Sequence, residues 1–372
     1  MSLARDSKED GAPKSPWSFR LLSVSGIPIR IHFTFLLFLV WIYLQSQGQL
    51  MSFGLIVAVF VCVLLHELGH ALTARKYAIE TRDITLYPIG GVAMLDGRPS
   101  AKAELWIALA GPAVNVVIAA ILAVVLFVAR GGAGFAIANV PHSFLAALLT
   151  ANVWLVVFNM IPAFPMDGGR VLRSLLARRM DETKATQAAA AIGQGLAIAA
   201  GFYGLISSNP ILMIIALFVF IGAGQEASMS VTRSFLQGHT VRDAMQQRFR
   251  TIPHGSTMET AAEMLLAGSQ HDFPVTLDDE VLGMLTRNRI AEGLATAGPG
   301  GYVANHMNRD VKSVAPTIPL EEAIELFGGD QTPILVMEDG QLIGMVTQEN
   351  LSEFIMLQHA RQQARASYGY RA

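Results

Sequence analysis

The sequence predicts a polytopic α-helical membrane protein that carries a soluble α+β domain in its C-terminal part. Three observations support this. The 372 residues are 52% hydrophobic and 15% charged, with a mean hydropathy of +0.43; soluble domains carry about 25% charged residues. Long apolar runs recur between residues 31 and 223, each on the scale of a bilayer crossing. After Gln237 charges return, and the chain holds two copies of one pattern. A net charge of −2 gives no electrostatic ground for nucleic-acid binding. The single cysteine, Cys62, excludes a disulfide framework and a Cys-based metal site.

Residues 1–17 are polar and rich in Ser, Lys, Asp and Pro, which reads as a disordered tail. The first apolar run begins near Ile31, and no small-residue cleavage site follows it, unlike a signal peptide. About six transmembrane helices are expected, at 31–44, 55–74, 105–128, 144–161, 188–206 and 211–223. In the fifth, Gly193, Ala197 and Gly201 follow the small-residue spacing that lets helices approach closely in lipid. The sixth is short, with Gly222 and Gly224 at its expected end.

Charge predicts the orientation. Arg75, Lys76, Arg82, Arg98 and Lys102 follow the second run, and Arg170, Arg173, Arg178, Arg179 and Lys184 follow the fourth. Only Arg130 stands out on the opposite side. The positive-inside rule then puts both termini in the cytoplasm of a multi-pass cell-membrane protein. Between the second and third runs, residues 84–95 (ITLYPIGGVAML) read as an extended hairpin about Gly90 and Gly91 at the membrane surface.

The transmembrane part is expected over 18–235. The repeat follows at 236–297 and 298–358, with a basic, frayed tail at 359–372. Val241–Met245 in the first copy corresponds to Val303–Met307 in the second, and Leu282–Thr286 to Leu342–Thr347. Each copy reads as a β-α-β-β-α unit.

The second run contains His66, Glu67 and His70. Helical positions i and i+4 share a face, so both imidazoles can meet one metal ion, with Glu67 beside a water on it. This is the H-E-x-x-H zinc pattern. An ionisable residue in a membrane span costs roughly 2.5–3.5 kcal/mol on insertion scales, which makes it a functional candidate. A catalytic zinc needs a third protein ligand and an open position. Asp167, at the end of the fourth run, is the candidate: Pro162 and Pro165 break the helix there, and irregular backbone at membrane depth survives only where it is buried in protein or lines a wet cavity. An Asp before Gly168 and Gly169 is also a common turn.

These pieces resemble the site-2 protease family of intramembrane zinc metalloproteases: His66-Glu67-Leu68-Gly69-His70, Gly111-Pro112-Ala113-Val114-Asn115, and residues 159–169 with Asp167 at the acidic position. Residues 26–30 look like the family's opening, and Met166 stands where Leu is frequent. The C-terminal repeat resembles a pair of CBS (cystathionine β-synthase-type) domains, which a subgroup of the family carries. The resemblance implies one Zn2+ per chain, held by His66, His70 and Asp167, with Glu67 as general base. It also implies that Asn159 is catalytic, as a donor to the oxyanion or to the substrate backbone. Gly111 and Pro112 are expected to bend the third span or let it approach closely, and Asn115 to matter less.

The implied activity is cleavage of transmembrane segments of membrane-protein substrates, in regulated intramembrane proteolysis. Implied partners are that substrate, the lipid bilayer, a second copy of the chain in a homodimer or higher oligomer, and an adenine nucleotide at the CBS pair. Where the usual ribose-contacting acid would stand, this chain has Arg289 and Asn350. An arginine cannot accept a ribose hydroxyl, so weak ribose recognition is expected. The competing reading is a non-proteolytic, CBS-regulated transporter or scaffold. Glu67 separates the two, since a hydrolase needs a base beside the metal and an ion pathway needs only ligands.

Overall fold

Apolar residues that alternate along 27–31 and again near 84–86 build a sheet ahead of and behind the first two helices. The computed structural model describes residues 17–47, 49–97, 99–129, 144–278, 280–327 and 332–368. The tail expected to be disordered lies outside them except for Trp17. The chain divides into two units, Met1–Ser230 and Val231–Ala372.

In the first unit, β1 (Ser18–Val24) turns through Ser25 and Gly26, both at positive φ, into β2 (Ile27–His32). α1 (Phe33–Gln45) and α2 (Leu50–Lys76) follow, then β3 (Glu80–Tyr87) and β4 (Gly90–Asp96). The sheet order is β1-β2-β3-β4, with β2 and β3 parallel and the other pairs antiparallel. The hairpin expected at 84–95 is present as β3–β4. The β1–β2 half goes beyond the sequence expectation, because its strands are short and abut a long apolar helix. Ile27 and Ile84, buried on the inner face of the sheet, pack on Leu68 and Ala71 of α2.

α3 (Ala101–Ala129), α4 (Phe144–Asn159), α5 (Asp167–Leu176), α6 (Glu182–Ile206) and α7 (Pro210–Leu236) complete this part. Among the described residues, α2, α3, α6 and α7 are long and apolar enough to cross a membrane, while α1 and α4 are apolar but shorter. The sequence expectation differs at two places. α7 runs past Gly222 and Gly224 to Leu236. Those glycines do not end it; they let neighbours approach, since a Cβ on Gly222 would lie 2.9 Å from Pro165 Cδ, and one on Gly224 3.2 Å from Gln194 Nε2. Residues 167–176, read as a basic connection, form the amphipathic helix α5, whose Gly168, Gly169 and Ser174 are buried.

In the second unit, α8 (Val241–Ala244) precedes β5 (Ile252–Pro253), α9 (Met258–Leu266), β6 (Phe273–Leu277), β7 (Glu280–Leu285) and α10 (Arg287–Ala297). The second copy repeats this as β8 (Ser313–Val314), α11 (Leu320–Glu325), β9 (Ile334–Glu338), β10 (Gln341–Val346) and α12 (Gln348–Tyr368). Each copy is the expected β-α-β-β-α unit with its own three-stranded sheet. The two copies exchange their leading segments. Val241 and Ala244 are buried with Val314, Leu320 and Val336 of the second copy, while Val303 and Met307 are buried with Phe273, Val275 and Leu285 of the first. Helix continues through Tyr368 where a frayed tail from 359 was expected; that stretch has no Gly or Pro before Gly369 and contains Ala, Arg and Gln, which favour helix.

Candidate active site

α2 sets His66 and His70 one turn apart on one face, both buried, at 5% and 8% exposure. Their Nε2 atoms are 3.0 Å apart. Asp167 Oδ2 lies 3.1 Å from Nε2 of His66 and 3.2 Å from Nε2 of His70. Three ligand atoms thus form a nearly equilateral triangle. Tetrahedral zinc with bonds near 2.05 Å sets its ligands about 3.3 Å apart. Two neutral nitrogens and one carboxylate oxygen at this spacing fit a zinc ion that keeps its fourth position open.

The carboxylate arrives from a loop that the sequence forces to turn. α4 ends at Asn159, the backbone passes Pro162 and Pro165, and Phe164 is buried. Met166 has extended backbone, and α5 begins at Asp167, where a helix N-terminus favours negative charge. Further along α5, Arg173 Nε donates to Glu104 Oε2 of α3 at 3.1 Å, its Nη2 bonds Glu104 Oε1, and its Nη1 donates to Glu226 Oε1 of α7 at 2.7 Å. The guanidinium also stands over the Phe164 ring, 5.4 Å from its centroid. This partly buried ionic cluster ties α5 to α3 and α7, and so holds the helix that presents Asp167.

The opposite ring nitrogens are also engaged. His70 Nδ1 lies 2.6 Å from the Ile107 carbonyl, and His66 Nδ1 lies 2.5 Å from Asn115 Oδ1. Such bonds orient ligating imidazoles. Asn115, given little weight from the sequence, is therefore part of the site, and with it Asn152, which was missed although an Asn inside an apolar run is itself a signal. Gly111 is the close approach expected of it: a Cβ there would lie 2.6 Å from His66 Nε2 and closer still to His70 Nε2.

Glu67 is half-buried beneath β4; a Cβ on Gly91 would come within 2.6 Å of its Cγ. β4 is an edge of the sheet. Tyr87 and Gly90 flank the two-residue turn and so form the hydrogen-bonded pair that closes the hairpin. Ladder alternation then makes Leu86–Gly91 and Ile84–Ala93 the non-bonded pairs, so Gly91 and Ala93 turn their N–H and C=O toward the open edge. Asn159 is not brought into the cluster by a hydrogen bond among the described contacts; its Nδ2 donates to the Leu155 carbonyl of its own helix at 3.0 Å.

Gly111→Ala is expected to lower metal affinity by more than about tenfold, the scale on which groups outside the ligand set affect it. The check is chelator competition on purified protein, where unchanged affinity would contradict the close approach.

Comparison with known proteins gives the family. The sequence matches peptidase family M50 over residues 53–200 and the CBS domain over 241–296 and 303–357. A zinc metalloprotease of Methanocaldococcus jannaschii is 33% identical over 337 residues, covering 90% of this chain and 95% of that one. The Rip3 protein of Mycobacterium tuberculosis is 28% identical over 366 residues, covering 89% and 91%. A solved site-2 protease structure from M. jannaschii is 42% identical, covers 57% of this chain and 95% of that one, and superposes with a TM-score of 0.43. With its paired buried histidines, its converging aspartate and its C-terminal CBS pair, the chain belongs to peptidase family M50, the site-2 protease family of membrane-embedded zinc metalloproteases.

Proposed function

We propose that the protein cleaves transmembrane segments of other membrane proteins, with His66, His70 and Asp167 as zinc ligands and Glu67 as general base. The observation that carries the substrate reading is the passage of edge strand β4 directly over Glu67. When bound, zinc supplies an acidified water and a Lewis-acid contact for a carbonyl. Glu67 takes the proton of the attacking water and returns it to the leaving amine, a role worth about 10²–10⁴-fold in rate. A helical substrate hides its carbonyls in its own hydrogen bonds and must unwind before attack. The outward N–H and C=O groups of Gly91 and Ala93 offer the unwound segment a strand to pair with, beside the base. Asn159, at the end of α4, keeps its Oδ1 and one N–H for substrate backbone or for the oxyanion.

Co-expression with tagged single-span membrane proteins tests this. Glu67→Gln abolishes cleavage with zinc content unchanged. Ala93→Pro, which removes one outward donor, lowers cleavage with zinc content unchanged. Full cleavage by Glu67→Gln would reject the general base, and full cleavage by Ala93→Pro would reject strand pairing.

We further propose that the chain is multi-pass with both termini cytoplasmic, α1 and α4 completing six crossings. Arg75 and Lys76 in the last turn of α2, and Arg170, Arg173, Arg178 and Arg179 after α4, support this orientation. Reporter fusions at Ala372 are expected to read cytoplasmic, and insertions between α3 and α4 to read on the far side. A far-side signal at Ala372 would reject the even count.

The CBS pair has a cleft of about 440 Å3 lined from both copies, including Asp272, Thr286, Arg287, Thr347 and Glu349. Burial raises the Asp272 carboxyl above its ordinary pKa. Thr347 Oγ1 donates to Asn350 Oδ1 at 2.7 Å, so the cap of α12 engages the group that would otherwise accept a ribose hydroxyl. With Arg289 at the other position, these features support weak ribose recognition and leave the pair as a module for protein contacts. Calorimetry on the full-length protein with ATP, ADP and AMP is expected to find dissociation constants no tighter than about 1 mM. Tight binding lost in Asn350→Ala would reverse this.

A further inference from the structure

His70 and His66 are oriented by different routes. His70 Nδ1 faces the Ile107 carbonyl at 2.6 Å. A carbonyl only accepts, so the proton sits on Nδ1 and the Nε2 lone pair is left for a metal. His66 Nδ1 faces a side-chain amide instead, Asn115 Oδ1 at 2.5 Å. An amide can offer either end. Turned over, Asn115 would present its NH2, draw His66 into the other tautomer, and put a proton on the nitrogen that faces Asp167 and His70.

Asn152 prevents that turn. It lies on α4, and like Asn115 it has no exposed surface. Its Nδ2 donates to the Leu148 carbonyl at 2.9 Å, a backbone acceptor that cannot be reversed. The remaining N–H points at Cys62 Sγ, 3.4 Å away. Asn152 Oδ1 therefore faces Asn115 and accepts from its Nδ2 at 2.8 Å. Asn115 has only its oxygen left for His66.

We propose that Asn152 is a positioning residue for the metal centre: through Asn115 it passes the polarity of the Leu148 carbonyl to His66 and selects the tautomer whose Nε2 is free. Each histidine then answers to a backbone carbonyl, His70 directly and His66 through two amides. The metal's ligand set thereby depends on α4, which contributes none of the ligands. The proposal rests on the reading of His66 as a zinc ligand.

The test is zinc affinity of the full-length protein in detergent, by chelator competition. Wild type binds zinc tightly and His66→Ala does not; if wild type fails to bind, the reading of the site fails, whatever Asn152 does. Asn152→Leu keeps the branched heavy-atom shape and suits a helix but frees Asn115 to turn, and affinity falls about 10–100-fold. Adding Asn115→Asp restores it, because both carboxylate oxygens accept and no orientation needs selecting. The cobalt-loaded Asn152→Leu protein shows altered visible absorption bands, and the double variant returns to the wild-type bands. Wild-type affinity in Asn152→Leu overturns the proposal. So does a loss that Asn115→Asp fails to restore, which would mark a packing defect.

Discussion

The first unit depends on one convergence: a carboxylate 101 residues beyond His66 must arrive within hydrogen-bond distance of two imidazoles, all three groups buried. Buried ionisable groups are costly unless they are paired. The surrounding structure can be read as what makes this one tolerable. α3 crosses α2 at a glycine because any side chain there would occupy the space of the ligand nitrogens. The proline-containing loop turns the chain so that α5 starts at Asp167. The Arg173 cluster anchors α5 to α3 and α7.

The sheet adds a different property to the same place. Its inner face is an ordinary apolar contact with α2, through Ile27, Ile84, Leu68 and Ala71. Its edge is not, because β4 turns backbone donors and acceptors outward beside Glu67, unpaired by any strand among the described residues. Unpaired edges are usually hazards that proteins cover or blunt. On the proposed function, an edge placed against Glu67 suits an enzyme whose substrate must surrender its own helical hydrogen bonds. The proposed base and the proposed backbone template would then be held together by the close approach of Gly91 to Glu67.

Much of this was legible in the sequence for physical reasons. Apolar runs of bilayer length announce helices whatever their neighbours, since length and hydropathy alone decide them. His66 and His70 sit four residues apart, and helical geometry fixes their shared face. The repeat in the second unit was visible because both copies bury the same apolar pattern, Phe273-Pro274-Val275 against Ile334-Leu335-Val336. Asp167 could be nominated because a carboxylate at the edge of a span needs a reason to be there.

What tertiary structure alone decided is which residues meet across the chain. The relay from Leu148 through Asn152 and Asn115 to His66 joins α4, α3 and α2, and no local pattern encodes it. The closeness of Gly91 to Glu67 follows from a parallel pairing of β2 with β3 across two helices. In the second unit, Val241 and Val303 stand at equivalent sequence positions, yet each is buried in the other copy's core. Local sequence determines period, propensity and length. Partner choice among equivalent apolar segments, and among buried amides that can bond in either direction, is determined only when the whole chain has packed and every buried polar group has found its complement.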